Sequence, residues 1–401
     1  MQLARYFVLA SAVALIALAG YSAFSTAGPL LFSPTELLAA SWRSYKDAYI
    51  DASYRTIDPA RGVTTSEGES YAMLRAAWMG DKPAFDGSWQ WTKDNLARPA
   101  DHLFAWLWAT TTARSLPATG HVLSYTTASD ADSDIALALI FAYARWQDPR
   151  YLAAARATIG DIWREEVVTI GGVPYLAADN VEKNSGSAAI VVNPSYLSPA
   201  SYHLFAMVDP DHPWESLRSA SYDLLAKSAA LPLDATTSDG LPPDWILVSR
   251  KTSAISADAA KNADTNFGYD ALRVPWRIAL DYAWFKNPAA PALLARFSHL
   301  TDEWRANERL PAIQAHDGSV VDGSESAALY GGAIGYFLLA DQKDASAVFR
   351  AKLLSLYDPA TGAWTTDLSY YDANWVWFGI ALYEGLLPNL AADLPKSAFG
   401  G

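Results

Sequence analysis

Hydrophobic residues recur at intervals of three and four over most of this chain, which is the spacing of one face of an α-helix. The clearest example runs from Ser129 to Trp146, where Ile135, Leu139, Ala142 and Trp146 fall on one face. Helix-start residues such as Ser, Asp and Pro precede many of the other periodic stretches. The pattern predicts about 12 helices joined by loops.

Strand-like patterns are rare by comparison. Two short runs, Val167 to Thr169 and Ile190 to Val192, are β-like. No Gly/Ser-rich or Pro-rich linker divides residues 30–390, which favours a single domain. Paired helices of similar length suggest a ring of α-hairpins that closes into an (α/α) barrel with a cleft at one end. Periodicity alone predicts an all-α single domain and does not fix the barrel.

The first 28 residues form a segment of a different kind. Arg5 precedes an uncharged run from Phe7 to Ala19, and small residues follow up to Gly28. This is the layout of a secretory signal peptide, with a cleavage position after Ala27. The alternative is an uncleaved N-terminal anchor, because the apolar run is long for a signal peptide. Either interpretation predicts that residues 29–401 are exported.

Composition excludes several classes of function. The net charge of -13 argues against nucleic acid or an anionic membrane surface as a partner. The absence of Cys excludes disulfides and thiolate metal sites, and six scattered His offer no His-Glu-x-x-His motif, so no metal or cofactor is predicted. The 16 Trp and 21 Tyr are amphipathic rings that suit a wet binding cleft.

The first candidate site lies at a predicted helix start, Thr64 to Tyr71. Ser66 is the expected N-cap, and Glu69 three residues later would complete a capping box. Glu67 then occupies the first helical position, where its side chain can point off the helix end into a cleft. The simpler interpretation is that Glu67 only complements the helix dipole.

Two further acidic sites stand out. Asp130, Asp132 and Asp134 alternate at the start of a helix, which is more negative charge than capping requires, although a solvated helix start is the commoner explanation. Asp270 lies among aromatic residues with Arg273 three positions later. The structural alternative there is an Asp–Arg pair that ties down a loop.

Separated carboxylates together with abundant Trp and Tyr fit glycoside hydrolysis. One protonated carboxylic acid protonates the leaving oxygen, and a second carboxylate activates water or attacks the sugar. Neither a Gly-x-Ser-x-Gly elbow nor a Gly-rich phosphate loop after a strand competes with this interpretation. An exported protein that binds a glucan without cleaving it is the rival from another class.

Seven segments, in order, also resemble glycoside hydrolase family 8, and within it the endoglucanases that accompany bacterial cellulose synthases. They are residues 65–72 (TSEGESYA), 85–96 (FDGSWQWTKDNL), 102–108 (HLFAWLW), 128–136 (ASDADSDIA), 193–199 (NPSYLSP), 241–245 (LPPDW) and 269–273 (YDALR). The last 100 residues match loosely, chiefly at Tyr370 and Tyr371.

The resemblance implies an (α/α)6 barrel in residues 29–401 and an inverting mechanism. Its motifs carry three roles over to this chain: Glu67 as general acid, Asp270 as general base and Asp130 as the contact to the sugar at the scissile position. An inverting pair requires carboxyl groups roughly 6.5–9.5 Å apart.

The resemblance also implies the surroundings of these acids. Arg273 would orient Asp270, and either Tyr370 or Tyr371 would hold the attacking water. The candidate stacking platforms are Trp106, Trp108 and Tyr269, with a place in the core as the alternative for each ring.

The implied substrate is β-1,4-glucan, with chitosan, xylan and mixed-linkage glucan as alternatives within the family. We expect a monomer without cofactor or metal, and an association with a cellulose synthase complex. The sequence leaves the subsite number and the cleavage of the signal open.

Overall fold

The computed structural model describes residues 33–110, 120–257 and 265–395 together with Ala398. The predicted signal peptide or anchor, residues 1–28, lies outside this part of the chain. None of the helices in the described part combines the length and the apolar character needed to cross a membrane.

Helices dominate the described residues, as predicted, although there are 14 α-helices rather than about 12. They are α1 (Pro34–Tyr49), α2 (Ser66–Met79), α3 (Lys82–Asn95), α4 (Ser129–Trp146), α5 (Pro149–Glu165), α6 (Asn180–Asn184), α7 (Pro199–Val208), α8 (Trp214–Ala230), α9 (Arg273–Phe285), α10 (Ala289–Leu294), α11 (His299–Asn307), α12 (Ala327–Ala340), α13 (Gln342–Val348) and α14 (Tyr370–Tyr383). The surplus comes from short helices such as α6, which carry too few turns to show a periodicity.

Six of these helices form a closed inner ring. In order they are α2, α4, α7, α9, α12 and α14, and each packs against the next, with α14 returning to α2. Outer helices pack against the inner ones, namely α3 on α2, α5 on α4, α8 on α7, α10 on α9, α13 on α12 and α1 on α14. The structure is therefore an (α/α)6 barrel, which the periodicity alone did not fix.

The loops carry small antiparallel sheets that the sequence predicts only in part. The strands are β1 (Val63–Thr65), β2 (Leu107–Thr110), β3 (Gly120–Ser124), β4 (Val167–Ile170), β5 (Val173–Leu176), β6 (Ala189–Val192), β7 (Ile246–Ser249), β8 (Ile255–Ser256), β9 (Ile313–Gln314), β10 (Val320–Asp322), β11 (Tyr357–Asp358) and β12 (Ala363–Trp364). They pair in the orders β1-β2-β3, β4-β5, β6-β7-β8, β9-β10 and β11-β12. Both β-like runs, in β4 and β6, are confirmed as strands.

Strand β1 matters most for the site, because it leads directly into α2. Its register pairs Val63 with Ala109 and Thr65 with Leu107. The pairing fixes where α2 begins and hence where Glu67 lies.

Aromatic rings fill the barrel interior. Trp375 lies 5.9 Å from Tyr71 and 5.6 Å from Trp276 between ring centroids, and Phe378 lies 5.4 Å from Tyr71 and 6.2 Å from Trp78. Such edge-to-face contacts are favourable beyond the area that they bury. Because the middle of the barrel is packed, a binding cleft can form only at an end.

Glycines let α12 pack closely against both of its neighbours in the ring. A Cβ on Gly331 would lie 2.1 Å from the carbonyl oxygen of Trp375 in α14, and a Cβ on Gly332 would lie 2.0 Å from that of Leu272, just before α9. Backbone atoms occupy both positions, so a side chain cannot be accommodated by rotamer changes. The spacing of α9, α12 and α14 therefore depends on these residues.

Replacing Gly331 with alanine should destabilise the protein by about 1–3 kcal/mol or more, because the added methyl group overpacks a helix–helix contact. The matched control is Gly160→Ala in α5, where a Cβ would meet nothing within 4 Å. Alanine there should be neutral or stabilising by about 0.5–1 kcal/mol. Urea unfolding followed by circular dichroism measures both, and equal midpoints for the two variants would contradict the close-approach explanation.

Candidate active site

The candidate residues from distant parts of the sequence meet where inner helices begin. Glu67 and Asp130 are the second residues of α2 and α4, whereas Arg273 and Tyr370 are the first residues of α9 and α14. Asp270 lies in the turn just before α9. Helix N-termini carry partial positive charge, which suits carboxylates.

Arg273 connects the acids. Its Nη1 lies 2.9 Å from Oε2 of Glu67 and 2.9 Å from Oδ2 of Asp130, and its Nη2 lies 2.5 Å from Oδ1 of Asp270. The side chain is only 1% exposed. Glu67 and Asp270 therefore lie at the same end of the barrel, on the two terminal nitrogens of one guanidinium.

The contacts of α4 correct the interpretation of its acids as a solvated helix start. Asp130, Asp132 and Asp134 are all buried, and each has a different role. Asp130 binds Arg273, Asp132 accepts a hydrogen bond from the backbone N–H of Phe104, and Asp134 forms a two-bond ion pair with Arg277. Asp130 and Asp134, four residues apart, point from one side of the helix towards α9, whereas Asp132 points to another side.

The predicted capping box at α2 is wrong. The N-cap is Thr65, whose Oγ1 accepts a hydrogen bond from the N–H of Gly68, and Glu67 is the second helical residue rather than the first. The N–H of Ser66 donates instead to the carbonyl of Trp106, as a continuation of the β1–β2 pairing. Glu69 accordingly turns away and accepts from the N–H of Thr56 at 2.6 Å.

Glu67 lies in surroundings that favour a proton. Its side chain is 22% exposed, and burial is the largest cause that raises its pKa to about 7. Arg273 opposes this rise, whereas the charges of Asp130 and Asp270 add to it. The hydroxyl of Tyr370 donates to Oε1 of Glu67 at 3.1 Å. Burial and Asp130 are the two influences expected from the sequence.

Asp270 has donors on both carboxylate oxygens, one of which was not predicted. Besides the bond from Arg273 to Oδ1, the indole Nε1 of Trp245 donates to Oδ2 at 3.1 Å. Asp244, the residue before Trp245, accepts hydrogen bonds from backbone N–H groups of the turn that carries Asp270. The hydroxyl of Ser195 accepts from Nε of Arg273 at 2.9 Å. Ser195, Asp244 and Trp245 all lie in segments that carry the family resemblance, which is the signal that could have identified them.

The two tyrosines at the start of α14 serve different neighbours. Tyr370 contacts Glu67, whereas the hydroxyl of Tyr371 donates to the carbonyl of Tyr269 at 2.6 Å, next to Asp270. The ring of Tyr269 is 47% exposed.

The candidate stacking rings differ in their exposure to solvent. Trp106 is partly exposed beside the start of α2, since its carbonyl accepts from Ser66. Trp108 does not suit a stacking role, because it is only 3% exposed. Its ring packs edge-on against Trp91 at 5.2 Å and lies under the guanidinium of Arg55 at 4.9 Å.

An open groove of about 470 Å³ begins at Tyr269. Its lining includes Ser326, Thr366, Asp367 and Asp372, between the starts of α12 and α14. The volume is in the range of small-ligand sites, about 300–1,000 Å³. Within the described ranges, no cluster of three or more His, Asp or Glu side chains could hold a metal ion.

Comparisons with known proteins show the family of the chain. The model of the family "Glycosyl hydrolases family 8" matches residues 7–346. An endoglucanase of Escherichia coli is 29% identical over 350 residues, which cover 84% of this chain and 86% of that protein. An endoglucanase of Salmonella typhi is 34% identical over 266 residues, covering 64% of this chain and 66% of that protein.

A solved structure shares the fold. The endo-beta-1,4-glucanase of Acetobacter xylinum superposes with a TM-score of 0.66 at 24% identity, covering 88% of this chain and 99% of that one. The family match, together with relatives named as endoglucanases, places the protein among the glycoside hydrolases. Because the family match spans most of the chain, this chain belongs to glycosyl hydrolases family 8.

Proposed function

We propose that this chain is an endo-acting, inverting β-1,4-glucanase in which Glu67 is the general acid and Asp270 the general base. The observation that carries the proposal is the shared contact with Arg273, which holds both carboxylates at one end of the barrel. The two relatives and the solved structure compared above are named as endoglucanases, which supports glucan as the substrate.

The proposed reaction is a single displacement. Protonated Glu67 gives its proton to the glycosidic oxygen as the bond between that oxygen and the anomeric carbon breaks. Water attacks the anomeric carbon from the opposite face and loses a proton to Asp270. Both carboxyl groups then exchange protons with solvent, and no covalent sugar–enzyme intermediate forms. We expect their separation to fall in the roughly 6.5–9.5 Å range of inverting enzymes.

The surroundings of the two carboxyl groups suit these different roles. Glu67 has a raised pKa and can be protonated near neutral pH. Asp270 receives hydrogen bonds on both oxygens, from Arg273 and Trp245, which hold its carboxylate in one orientation. Tyr371 is the tyrosine beside the base and is our candidate for holding the water, whereas Tyr370 serves the acid.

Substrate class is the first part of the proposal to test. Reducing ends released from carboxymethylcellulose, chitosan and xylan, measured in parallel, should be most abundant with carboxymethylcellulose. Greater release from chitosan or xylan would replace glucan with that polymer. A purified protein that binds glucan and cleaves none of the three would favour the rival interpretation as a non-catalytic binding protein.

Three further proposals rest on the sequence. We infer export from residues 1–28, a monomeric state, and a link to bacterial cellulose biosynthesis from the resemblance. N-terminal sequencing of secreted protein tests export, and a protein that stays in the cytoplasm with its N-terminus retained would contradict it. Sedimentation analysis tests the monomeric state, which a stable dimer would contradict. Co-purification with a cellulose synthase tests the link to cellulose biosynthesis, and its absence would contradict that link.

Replacing Glu67 with glutamine should lower kcat by about 10²–10⁴-fold, because the side chain keeps its shape and loses its proton. Asp270→Asn should do likewise by removing the acceptor of the water proton. Calorimetric binding of cellohexaose should remain measurable in both variants. Retained turnover of unactivated glucan by Glu67→Gln would refute the acid role.

The pH profile should decline on the alkaline side with a midpoint near pH 7. Glu67 acts when protonated, so kcat/KM should be maximal below its pKa of about 7 and should fall about tenfold per pH unit above it. Asp130→Asn removes a charge that raises the pKa of Glu67, so the alkaline limb should move to lower pH. An alkaline limb that stays in place in this variant would contradict the assignment.

Inversion predicts the stereochemistry of the first product. Early proton NMR spectra of a β-linked oligosaccharide during cleavage should show the new reducing end as the α-anomer. The β-anomer appearing first would indicate retention and a covalent intermediate.

A further inference from the structure

The turn that carries Asp270 is hydrogen-bonded to Asp244, a residue outside the turn. The N–H of Asp244 donates to the carbonyl of Asn266 at 2.7 Å. In return, Oδ1 of Asp244 accepts from the N–H groups of Gly268, Asp270 and Ala271 at 3.2, 3.1 and 2.6 Å. One carboxylate oxygen thereby fixes three backbone groups around the candidate base.

Asp244 packs so closely against the turn that position 268 has no space for a side chain. A Cβ on Gly268 would lie 2.7 Å from Oδ2 of Asp244. On the other flank, Phe267 and Gln314 exchange two backbone hydrogen bonds of 2.8 and 3.1 Å. The turn is thus held from two sides, although it belongs to no helix or strand.

The next residue, Trp245, reaches the side chain of Asp270 itself. Its Nε1 donates to Oδ2 of Asp270 at 3.1 Å. The Trp245 ring packs edge-on against Tyr196 at 5.8 Å, and Tyr196 lies 5.1 Å from the guanidinium of Arg273. Tyr196 therefore lies between the indole and the guanidinium that binds the other oxygen of Asp270.

We propose that Asp244 and Trp245 are positioning residues for the general base, Asp244 by holding the backbone of its turn and Trp245 by fixing the carboxylate oxygen that Arg273 leaves free. The proposal rests on the proposed function, in which Asp270 deprotonates the attacking water. A displacement of about 1 Å in such a group can cost about 10²-fold in rate.

Asp244 can serve this role in either protonation state. Burial, followed by the charge of Asp270, raises the pKa of Asp244 to about 8, while its three backbone donors oppose the rise. Its Oδ1 accepts hydrogen bonds whether or not the other oxygen carries a proton. The oxygen of an asparagine side chain can accept the same bonds, which makes Asn the conservative replacement.

The first experiment compares Asp244→Asn with Asp244→Ala in the full-length protein, on whichever polysaccharide the wild type cleaves best. The Asn variant should keep kcat/KM within about threefold, whereas the Ala variant should lose about 10²-fold in kcat with KM nearly unchanged. The matched control is Asp341→Ala, because Asp341 also accepts from two backbone N–H groups, those of Lys343 and Asp344, in outer helix α13. That control should lose stability and keep its kcat.

The second experiment tests Trp245 through the separation of kcat from KM. Trp245→Phe keeps an aromatic ring beside Tyr196 and removes the hydrogen bond to Oδ2 of Asp270, so kcat should fall about tenfold or more with KM nearly unchanged. Trp284→Phe, which loses an indole bond to the carbonyl of Leu387, is the control and should keep its kcat.

The outcomes separate this inference from the proposed function. Rescue of kcat by Asn together with a lowered kcat in Trp245→Phe supports positioning. An Asn variant as inactive as the Ala variant, or an unchanged kcat in Trp245→Phe, overturns it. Should Asp244→Ala fail to fold, the Asn and Phe variants still decide. A wild type that cleaves no polysaccharide refutes the proposed function before any variant is compared.

Discussion

The guanidinium of Arg273, itself only 1% exposed, lies between three carboxylates, those of Glu67, Asp130 and Asp270. One positive charge cannot balance three negative ones, and a like charge nearby disfavours the ionised form of a carboxyl group. Burial, followed by the charges of Asp130 and Asp270, raises the pKa of Glu67 to about 7, although Arg273 opposes the rise. Arg273 therefore fixes the positions of the acids, whereas burial and the excess of negative charge keep Glu67 able to carry a proton.

The buried ion pair of Asp134 and Arg277 repeats this arrangement one helical turn deeper. Asp130 and Asp134 are four residues apart on α4, and Arg273 and Arg277 are four apart on α9, so both pairs join the same two helices. Two successive bridges fix the register of α4 against α9. Breaking one partner of such a buried pair leaves an uncompensated charge, which is costly. The site is consequently built on a stiff part of the ring.

Sequence reasoning succeeded for features that neighbouring residues in the chain determine. The periodicity predicted the helices. The ordered motifs selected Glu67, Asp130, Asp270 and Arg273, which the structure brings together, while their catalytic roles stay predictions. Sequence reasoning failed where a partner distant in sequence decides the outcome. The capping box at Ser66 was lost because its N–H pairs with Trp106. Trp108 was a candidate stacking ring with a place in the core as the alternative, because sequence cannot show which face of β2 is buried. The role proposed for Asp244 depends on a turn more than 20 residues away.

The order of the helices in the ring has a consequence for how the protein folds during its synthesis. Its last inner helix, α14, packs against both the first outer helix α1 and the first inner helix α2, and it brings Tyr370 to Glu67. A nascent chain can therefore neither close the barrel nor bring Tyr370 to Glu67 until α14 has been synthesised. Any fragment released earlier exposes the apolar flank of α2, so premature termination should yield material for proteases or chaperones rather than a partly active enzyme.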